Sequence, residues 1–181
     1  MALSHPPVFH VAARRLWGFV AVWVLVGLSA CGFQLRQAPD FAFKTLYSGV
    51  ANNSTLGNEF KRQIAASGKV VLITDVRQID RADVILDVLT DQREKSVIAT
   101  NASGQVREFQ LRVRVKFKLR SRKGAELIPE TELVQQRDIS FNESAILAKE
   151  GEEALLYRDM QSDIVQQMVR RLAAVRALTP G

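Results

Sequence analysis

The stretch Phe109-Gln-Leu-Arg-Val-Arg-Val-Lys-Phe-Lys-Leu-Arg120 alternates strictly between apolar and polar residues. Every odd position is apolar, whereas the even positions are one glutamine followed by arginines and lysines. Successive side chains of a β-strand point to opposite faces of its sheet, so a period of two indicates a strand. The stretch therefore predicts a long strand with one buried face and one basic face.

The segment before this strand supplies a partner for it. Residues 82–91 also alternate, and Asn101-Ala-Ser-Gly104 between the two segments is typical of a turn, which together predicts a hairpin. A hairpin closed there pairs residues whose numbers sum to 205, so that apolar residues meet apolar ones and acids meet bases. The expected charged pairs are Asp91 with Arg114, Asp87 with Lys118 and Asp83 with Arg122. In this register no acid faces Arg107, Arg112, Lys116, Arg120 or Lys123.

The basic face has two interpretations. It can be a solvated strand face whose cross-strand ion pairs each contribute only about 0 to 1 kcal/mol. Its unpaired cations can instead bind the phosphates of a lipid headgroup, which makes Arg107, Arg112 and Lys116 candidate ligand residues. Nucleic acid is the less favoured partner, because the polar face carries no aromatic residues on which bases would stack.

The flanking segments complete a mixed fold. Ser54 is a suitable N-cap and Gly68 a suitable stop for the helix between them, and the spacing of four from Leu156 to Leu172 predicts a second, longer helix. We therefore predict an α+β two-layer sandwich of about four mainly antiparallel strands, with two helices packed on one face. The expected further elements are strands over 41–48, 70–73 and 126–141, helices over about 55–67 and 152–177, and a polar connection over 142–151.

The N-terminal region has the pattern of an export signal. Arg14 and Arg15 precede an apolar run from Leu16 to Leu28, which is shorter than the roughly 20 residues that a membrane-spanning helix needs. The following Leu28-Ser-Ala-Cys31 resembles the lipobox of bacterial lipoproteins, in which the cysteine thiolate receives a diacylglyceryl group. We expect a signal peptide over 1–30 that is removed, a tether over 31–40 and a single domain over 41–181. The alternative is an uncleaved signal anchor in which Cys31 stays a free thiol.

Composition restricts the chemistry of the mature chain. Both histidines, His5 and His10, lie in the leader, and Cys31 is the sole cysteine of the chain. Cys-His pairs, Ser-His-Asp triads, most zinc sites and internal disulfides are thereby excluded. Residues 1–30 hold two of the 25 basic residues and none of the 19 acidic ones, so the net charge falls from +6 to +4. The sequence predicts no enzyme, although a carboxylate-based hydrolase or a Ser-Lys pair survives this exclusion.

Several short segments, in this order along the chain, resemble one family. The mature start Cys31-Gly-Phe-Gln-Leu-Arg36, the segment Ala145-Ile-Leu-Ala-Lys149-Glu150 and the helix residues Tyr157-Arg-Asp-Met160 and Arg170-Arg-Leu172 are similar to the LptE family of lipopolysaccharide-assembly lipoproteins. The resemblance implies an outer-membrane lipoprotein that plugs the β-barrel LptD, supports its assembly and helps to insert lipopolysaccharide into the outer leaflet. It also implies no cofactor, the only attached groups being the diacylglycerol and the N-acyl chain, such as palmitate, on Cys31.

The resemblance also implies particular residues. The family's lysine in the Ala-Leu-Ala-Lys segment, implicated in lipopolysaccharide binding, falls on Lys149, although a lysine near the start of a helix is usually just solvated. The family's basic residue at the hairpin tip has no counterpart, because this tip is Thr100-Asn-Ala-Ser-Gly104; its nearest cations are Lys95 and Arg107. Gly32 after the cysteine agrees with sorting of this lipoprotein to the outer membrane of a Gram-negative envelope.

Two other functions stay open at this point. The chain can be a stand-alone lipoprotein that faces the periplasm and binds lipid without a barrel. It can also be a carboxylate-dependent wall hydrolase, although the sequence shows no paired acids placed for such a reaction.

Overall fold

The structure is a computed structural model that describes residues 39–51 and 53–176. The expected leader, Cys31 and most of the tether lie outside the described residues. No helix of the described residues is long and apolar enough to cross a membrane. The elements are β1 Thr45–Ser48, α1 Thr55–Ser67, β2 Val71–Ile73, β3 Val84–Thr100, β4 Val106–Ser121, β5 Glu126–Ser140 and α2 Ile146–Ala173, with 3-10 helices over Val76–Arg81 and Glu143–Ala145.

The strands form one mixed sheet in the order β2-β1-β3-β4-β5. Strand β1 is parallel to both β2 and β3, whereas β3, β4 and β5 form an antiparallel meander. The predicted α+β class is confirmed, with five strands in place of about four. The first predicted strand is shorter than expected, because residues 41–44 precede β1. Of these four residues only Lys44 bonds to the backbone of a strand, through its carbonyl, which accepts a hydrogen bond from the Val71 amide.

Both helices cover the same face of the sheet and enclose the main core. The apolar positions of β4 face this core together with Leu56, Phe60 and Ile64 of α1, all fully buried. A smaller apolar cluster lies at the β2 end, where the 3-10 helix packs through Ile79 near Ile73 and Ile85. The rest of the sheet surface opposite the helices is mostly polar, and we call it the open face.

The boundaries of α1 follow from its capping residues. The Ser54 side chain accepts a hydrogen bond from the Gly57 amide at 2.9 Å, which satisfies one of the free donors of the first turn. Gly68 ends the helix in the left-handed conformation with φ of 65°. These bounds agree with the predicted helix over 55–67.

Gly57 offers a test of how tightly the first turn of α1 is packed. Alanine for glycine usually stabilises a helix interior by about 1 kcal/mol, but a methyl carbon at Gly57 would overlap the carbonyl oxygen of Ala51. We expect Gly57→Ala to lower the free energy of unfolding by about 1 to 3 kcal/mol in urea denaturation. Gly151→Ala is the matched control, since nothing lies within 4 Å of its added carbon, and should stabilise α2. Equal effects of the two substitutions would contradict this account.

The β3–β4 hairpin keeps the predicted register only over the first five residues of β3. Asp87 lies opposite Lys118, Leu86 opposite Leu119 and Val88 opposite Phe117, as the sum of 205 requires. An irregularity between Val88 and Thr90 then shifts the register by one residue, so that Asp91 lies opposite Val115. The predicted pairing of Asp91 with Arg114 is therefore wrong, because a β-bulge adds one residue to β3.

Because of the bulge, the side chains of β3 that follow it lie on the opposite face of the sheet from the one predicted. Beyond it, Arg93 and Lys95 lie on the helix side of the sheet, where Arg93 donates a 2.5 Å hydrogen bond to Gln161 and Lys95 pairs with Glu153 at 2.6 Å. The Tyr157 hydroxyl adds a 2.8 Å hydrogen bond to the carbonyl oxygen of Glu94. Helix α2 is thus attached to the outer part of the hairpin through polar contacts, whereas its later turns pack on the apolar core.

Helix α2 begins earlier than its apolar stripe indicates. It starts at Ile146, after Asn142 accepts a hydrogen bond from the Ser144 amide, so the predicted polar connection over 142–151 is wrong. The buried residues of α2 begin only at Tyr157, and Leu147 is 84% exposed. The first three turns or so of the helix therefore have no row of buried apolar residues, so the periodicity of the sequence does not indicate that they are helical.

Candidate functional site

The structure separates the four candidate ligand residues onto two faces of the sheet. Arg112 and Lys116 lie on the open face, at the even positions of β4. Lys149 lies in the first turn of α2, and Arg107 lies on the helix side near the start of β4. The four residues therefore do not form one site.

Three cationic and two aromatic residues lie close together on the helix side of the sheet, near the start of α2. The Phe109 and Phe141 rings pack edge to face with their centroids 5.3 Å apart. Lys95 and Lys149 line a cleft of about 80 Å³ formed against these rings, and Arg107 lines a second cleft on the other side of Phe141. We call the five residues Lys95, Arg107, Phe109, Phe141 and Lys149 the tip cluster.

Lys149 is held in place by two neighbours. Its side chain is 22% exposed, and its ammonium group donates to the Ser140 hydroxyl at 3.0 Å and to the Glu152 carboxylate at 2.8 Å. The bond to Ser140 connects the first turn of α2 to the end of β5. This lysine is therefore partly buried and oriented toward the sheet, in contrast to a freely solvated side chain.

Lys95 enters the same cleft from β3. Its ammonium group lies 4.3 Å from the centroid of the Phe109 ring, within the range of a cation–π contact, and pairs with Glu153. This position depends on the bulge in β3, which turns Lys95 to the helix side. Sequence reasoning identified Lys95 only as a cation near the hairpin tip and did not predict its contact with the aromatic pair.

Apolar side chains border the tip cluster. Ile146 lines the cleft and is about half exposed, and Leu147 beside it is largely exposed. Val97, which pairs with Phe109 across the hairpin, is half exposed as well. The region therefore combines cations with accessible apolar surface, a combination suited to an amphipathic ligand.

On the open face the cations of β4 alternate with acids of the neighbouring strands. Glu94 lies 3.8 Å from Arg112 and 3.5 Å from Arg114, while Lys116 pairs with Glu130 at 2.9 Å. The hydrogen bond and the charge of Glu130 raise the pKa of Lys116. Two further pairs join Arg114 to Glu132 at 3.4 Å and Arg120 to Asp87 at 2.8 Å.

These pairs correct the prediction that Arg112, Lys116 and Arg120 have no acidic partner. The prediction considered only directly opposite residues of β3 in an unbulged register. The bulge brings Glu94 to the open face, and β5 supplies Glu130. Asp87 reaches diagonally to Arg120, so the expected ion pair of Asp87 with Lys118 is wrong. Within the described residues, Arg107 and Lys123 have no ion pair.

Among the residues that the structure describes, no group of three or more histidine, cysteine, aspartate or glutamate side chains is arranged to hold a metal ion.

The model of the LptE family, described as lipopolysaccharide-assembly, matches residues 43–172. No curated protein matches the chain.

Solved structures share the fold. The solution structure of an uncharacterized lipoprotein B from Nitrosomonas europaea is 33% identical with a TM-score of 0.67, covering 79% of this chain and 91% of that one. The rare lipoprotein B from Shewanella oneidensis is 22% identical with a TM-score of 0.59, covering 72% and 95%. A minor lipoprotein from Acinetobacter baumannii is 22% identical with a TM-score of 0.58, covering 75% and 94%. Because the family model spans nearly all of the folded body, the chain belongs to the LptE family of lipopolysaccharide-assembly lipoproteins.

Proposed function

We propose that the mature chain is an outer-membrane lipoprotein that plugs an LptD-like β-barrel, supports its assembly and helps to insert lipopolysaccharide into the outer leaflet. The observation that carries this proposal is the family match over residues 43–172, which includes every strand, α1 and all but the last residue of α2. The role is one of binding and assembly, with no catalytic step. Lipid on Cys31 would hold the body at the membrane, since two or more acyl chains anchor a protein stably.

The open face suits the wet lumen of a barrel. Its alternating acids and bases form ion pairs that leave many hydrogen-bonding groups accessible to a polar wall or to water. We therefore assign Arg112 and Lys116 to the surface that meets the partner, where they keep their carboxylate neighbours.

The tip cluster is the proposed contact for lipopolysaccharide. Lipid A phosphates would be bound through charge-assisted hydrogen bonds by Lys149 and Arg107, the two candidate residues on this side of the sheet. The cleft of about 80 Å³ has room for roughly three water molecules, so it holds part of a headgroup and no acyl chain. The acyl chains would then lie against the exposed apolar border or the partner.

The small cleft also bears on the alternative of a stand-alone lipid carrier. Such a carrier would have to shield acyl chains from water by itself, and the tip cleft is too small for that. The two alternatives differ in their dependence on the barrel. Lipopolysaccharide affinity that is unchanged by removal of the barrel would favour the stand-alone carrier, whereas co-purification with a large barrel, and loss of that barrel on depletion of this chain, support the plug.

Charge reversal at the tip cluster tests its proposed ligand. We expect the double variant Lys149→Glu, Arg107→Glu to bind lipopolysaccharide at least about tenfold more weakly, since a hydrogen bond to a charged group contributes roughly 1.5 to 3 kcal/mol. Binding of the purified full chain to immobilised lipopolysaccharide measures this effect, and pull-down from detergent-solubilised outer membrane should still recover the barrel.

Lys123→Glu is the matched control, because Lys123 is exposed in the turn between β4 and β5 and has no ion pair among the described residues. It should leave lipopolysaccharide binding unchanged. If the double variant binds lipopolysaccharide as well as this control does, the tip cluster is not the binding site. If neither variant recovers the barrel in the pull-down, the substitutions have disrupted folding.

A further inference from the structure

A second cleft, separate from the tip cluster, lies between the two helices. Its volume is about 430 Å³, and it is lined by side chains from the first two turns of α1 and from the middle of α2. Most of these side chains are hydrogen-bond donors. We call it the interhelical cleft.

Gln161 forms the floor of this cleft. Its side chain is only 3% exposed, and its Oε1 atom accepts the hydrogen bond from Arg93. A guanidinium group can only donate, so the oxygen of the amide must face Arg93 and the Nε2 donor must face away from it. Within the described chain Nε2 donates to no acceptor, so this donor is available to a group that enters the cleft.

Other donors converge on the same space. Arg158 lies one turn before Gln161 on α2 and has no carboxylate partner among the described residues. Asn58 faces it from α1, and its amide likewise makes no hydrogen bond in the described part of the chain. Thr55 places the positive end of the α1 dipole at the rim.

The one acid that lines the cleft is already neutralised. Glu59 accepts hydrogen bonds from Arg62 and, at 2.9 Å, from Gln63. These contacts hold its carboxylate along the surface of α1. The remaining charge of the cleft is positive, since Arg158 has no carboxylate partner in the described residues.

We propose that the interhelical cleft binds a phosphate monoester, with the Arg158 guanidinium, the Gln161 amide and the Asn58 amide as donors. A phosphate presents three acceptor oxygens and so matches donors that approach from two helices, and it is favoured near a helix N-terminus. The volume leaves room for the group that carries the phosphate. That group can belong to a lipid headgroup or to a soluble metabolite, and the site does not depend on the proposed barrel partner.

The test follows the Gln161 side-chain amide by nitrogen–proton NMR in the full chain held in detergent. Inorganic phosphate should shift this signal saturably, whereas sodium chloride of equal ionic strength should not. Arg158→Gln should weaken phosphate binding about tenfold or more, because it removes a charge-assisted donor while changing only an exposed side chain. A second titration uses mixed micelles that contain monophosphoryl lipid A; tighter binding than inorganic phosphate would identify a lipid headgroup, and weaker binding a soluble ligand.

Arg171→Gln is the control, since Arg171 is exposed on the same helix about 20 Å farther along and does not line the cleft. It should bind phosphate like the original chain, and both variants should keep the same circular dichroism and melting temperature. Absence of a saturable shift, or equal loss of binding in the two variants, would overturn the proposal.

Discussion

Replacing Cys31 with alanine should release the exported chain from the membrane fraction and abolish its labelling by radioactive palmitate. In the proposed lipoprotein the Cys31 thiolate is the nucleophile that accepts the lipid, and each buried methylene of an acyl chain contributes about 0.8 kcal/mol to membrane binding. Fractionation of cells followed by immunoblotting and palmitate counting measures both effects.

Cys31→Ser is the informative companion variant. A hydroxyl has the size of the thiol but is a much weaker nucleophile near neutral pH, so the serine variant should lose the lipid as completely as the alanine variant. Palmitate retained by either variant would show that the lipid is attached elsewhere, and the proposed boundary of the leader would then be wrong.

Removal of the Phe117 ring should cause the largest loss of stability of any single substitution considered for the folded body. Phe117 is 0% exposed in the second half of β4, the middle strand of the antiparallel meander, where it lies between Val88 and Thr131. We expect Phe117→Ala to lower the free energy of unfolding by about 3 to 5 kcal/mol, because the lost apolar contacts leave a cavity. That is a large fraction of the roughly 5 to 15 kcal/mol typical of a whole domain, and chemical denaturation of the full chain measures it.

The neighbouring substitution Lys118→Ala serves as its control. Lys118 lies on the opposite face of the same strand, is only partly buried and makes no ion pair in the described residues. Its truncation should change the free energy of unfolding by no more than about 0.5 kcal/mol. Similar losses for the two variants would mean that the alternation of β4 does not separate a core face from a solvent face.

The features that could be predicted from the sequence are those that depend on local pattern. The alternation of β4 places five fully buried side chains on one face, from Leu111 to Leu119, and the Ser54 and Gly68 caps bound α1 as expected. The mature start and the Lys149 segment led to the family that the later comparison shows. In each case the predicted feature depends on a few residues that are close together in the sequence.

The features that escaped prediction depend on residues far apart in the chain. The bulge near Leu89 is stabilised by the fit of β3 to β4 and α2, and the sequence carries no glycine there to indicate it. Its effect on Lys95 was therefore missed, and so was the pairing of Arg112 with Glu94. One signal was present: the apolar residues Ile85 and Leu89 share the parity of the acids, which conflicts with a single uninterrupted strand.

The start of α2 was missed for a different reason. Its first turns make few apolar contacts, so their helical state is supported by the Asn142 turn and by Lys149 bonding to Ser140. Polar contacts of this kind depend on three-dimensional position, which periodicity cannot reveal.

The bulge in β3 also affects how charged positions are compared between relatives. A single additional residue decides whether the cations beyond it point toward α2 or toward the opposite surface. In a relative that lacked this residue, the same side chains beyond that point would lie on the opposite face of the sheet. Gaps in an alignment of this hairpin therefore have to be placed by strand geometry. Counting residues from the turn would align side chains that lie on different faces of the sheet.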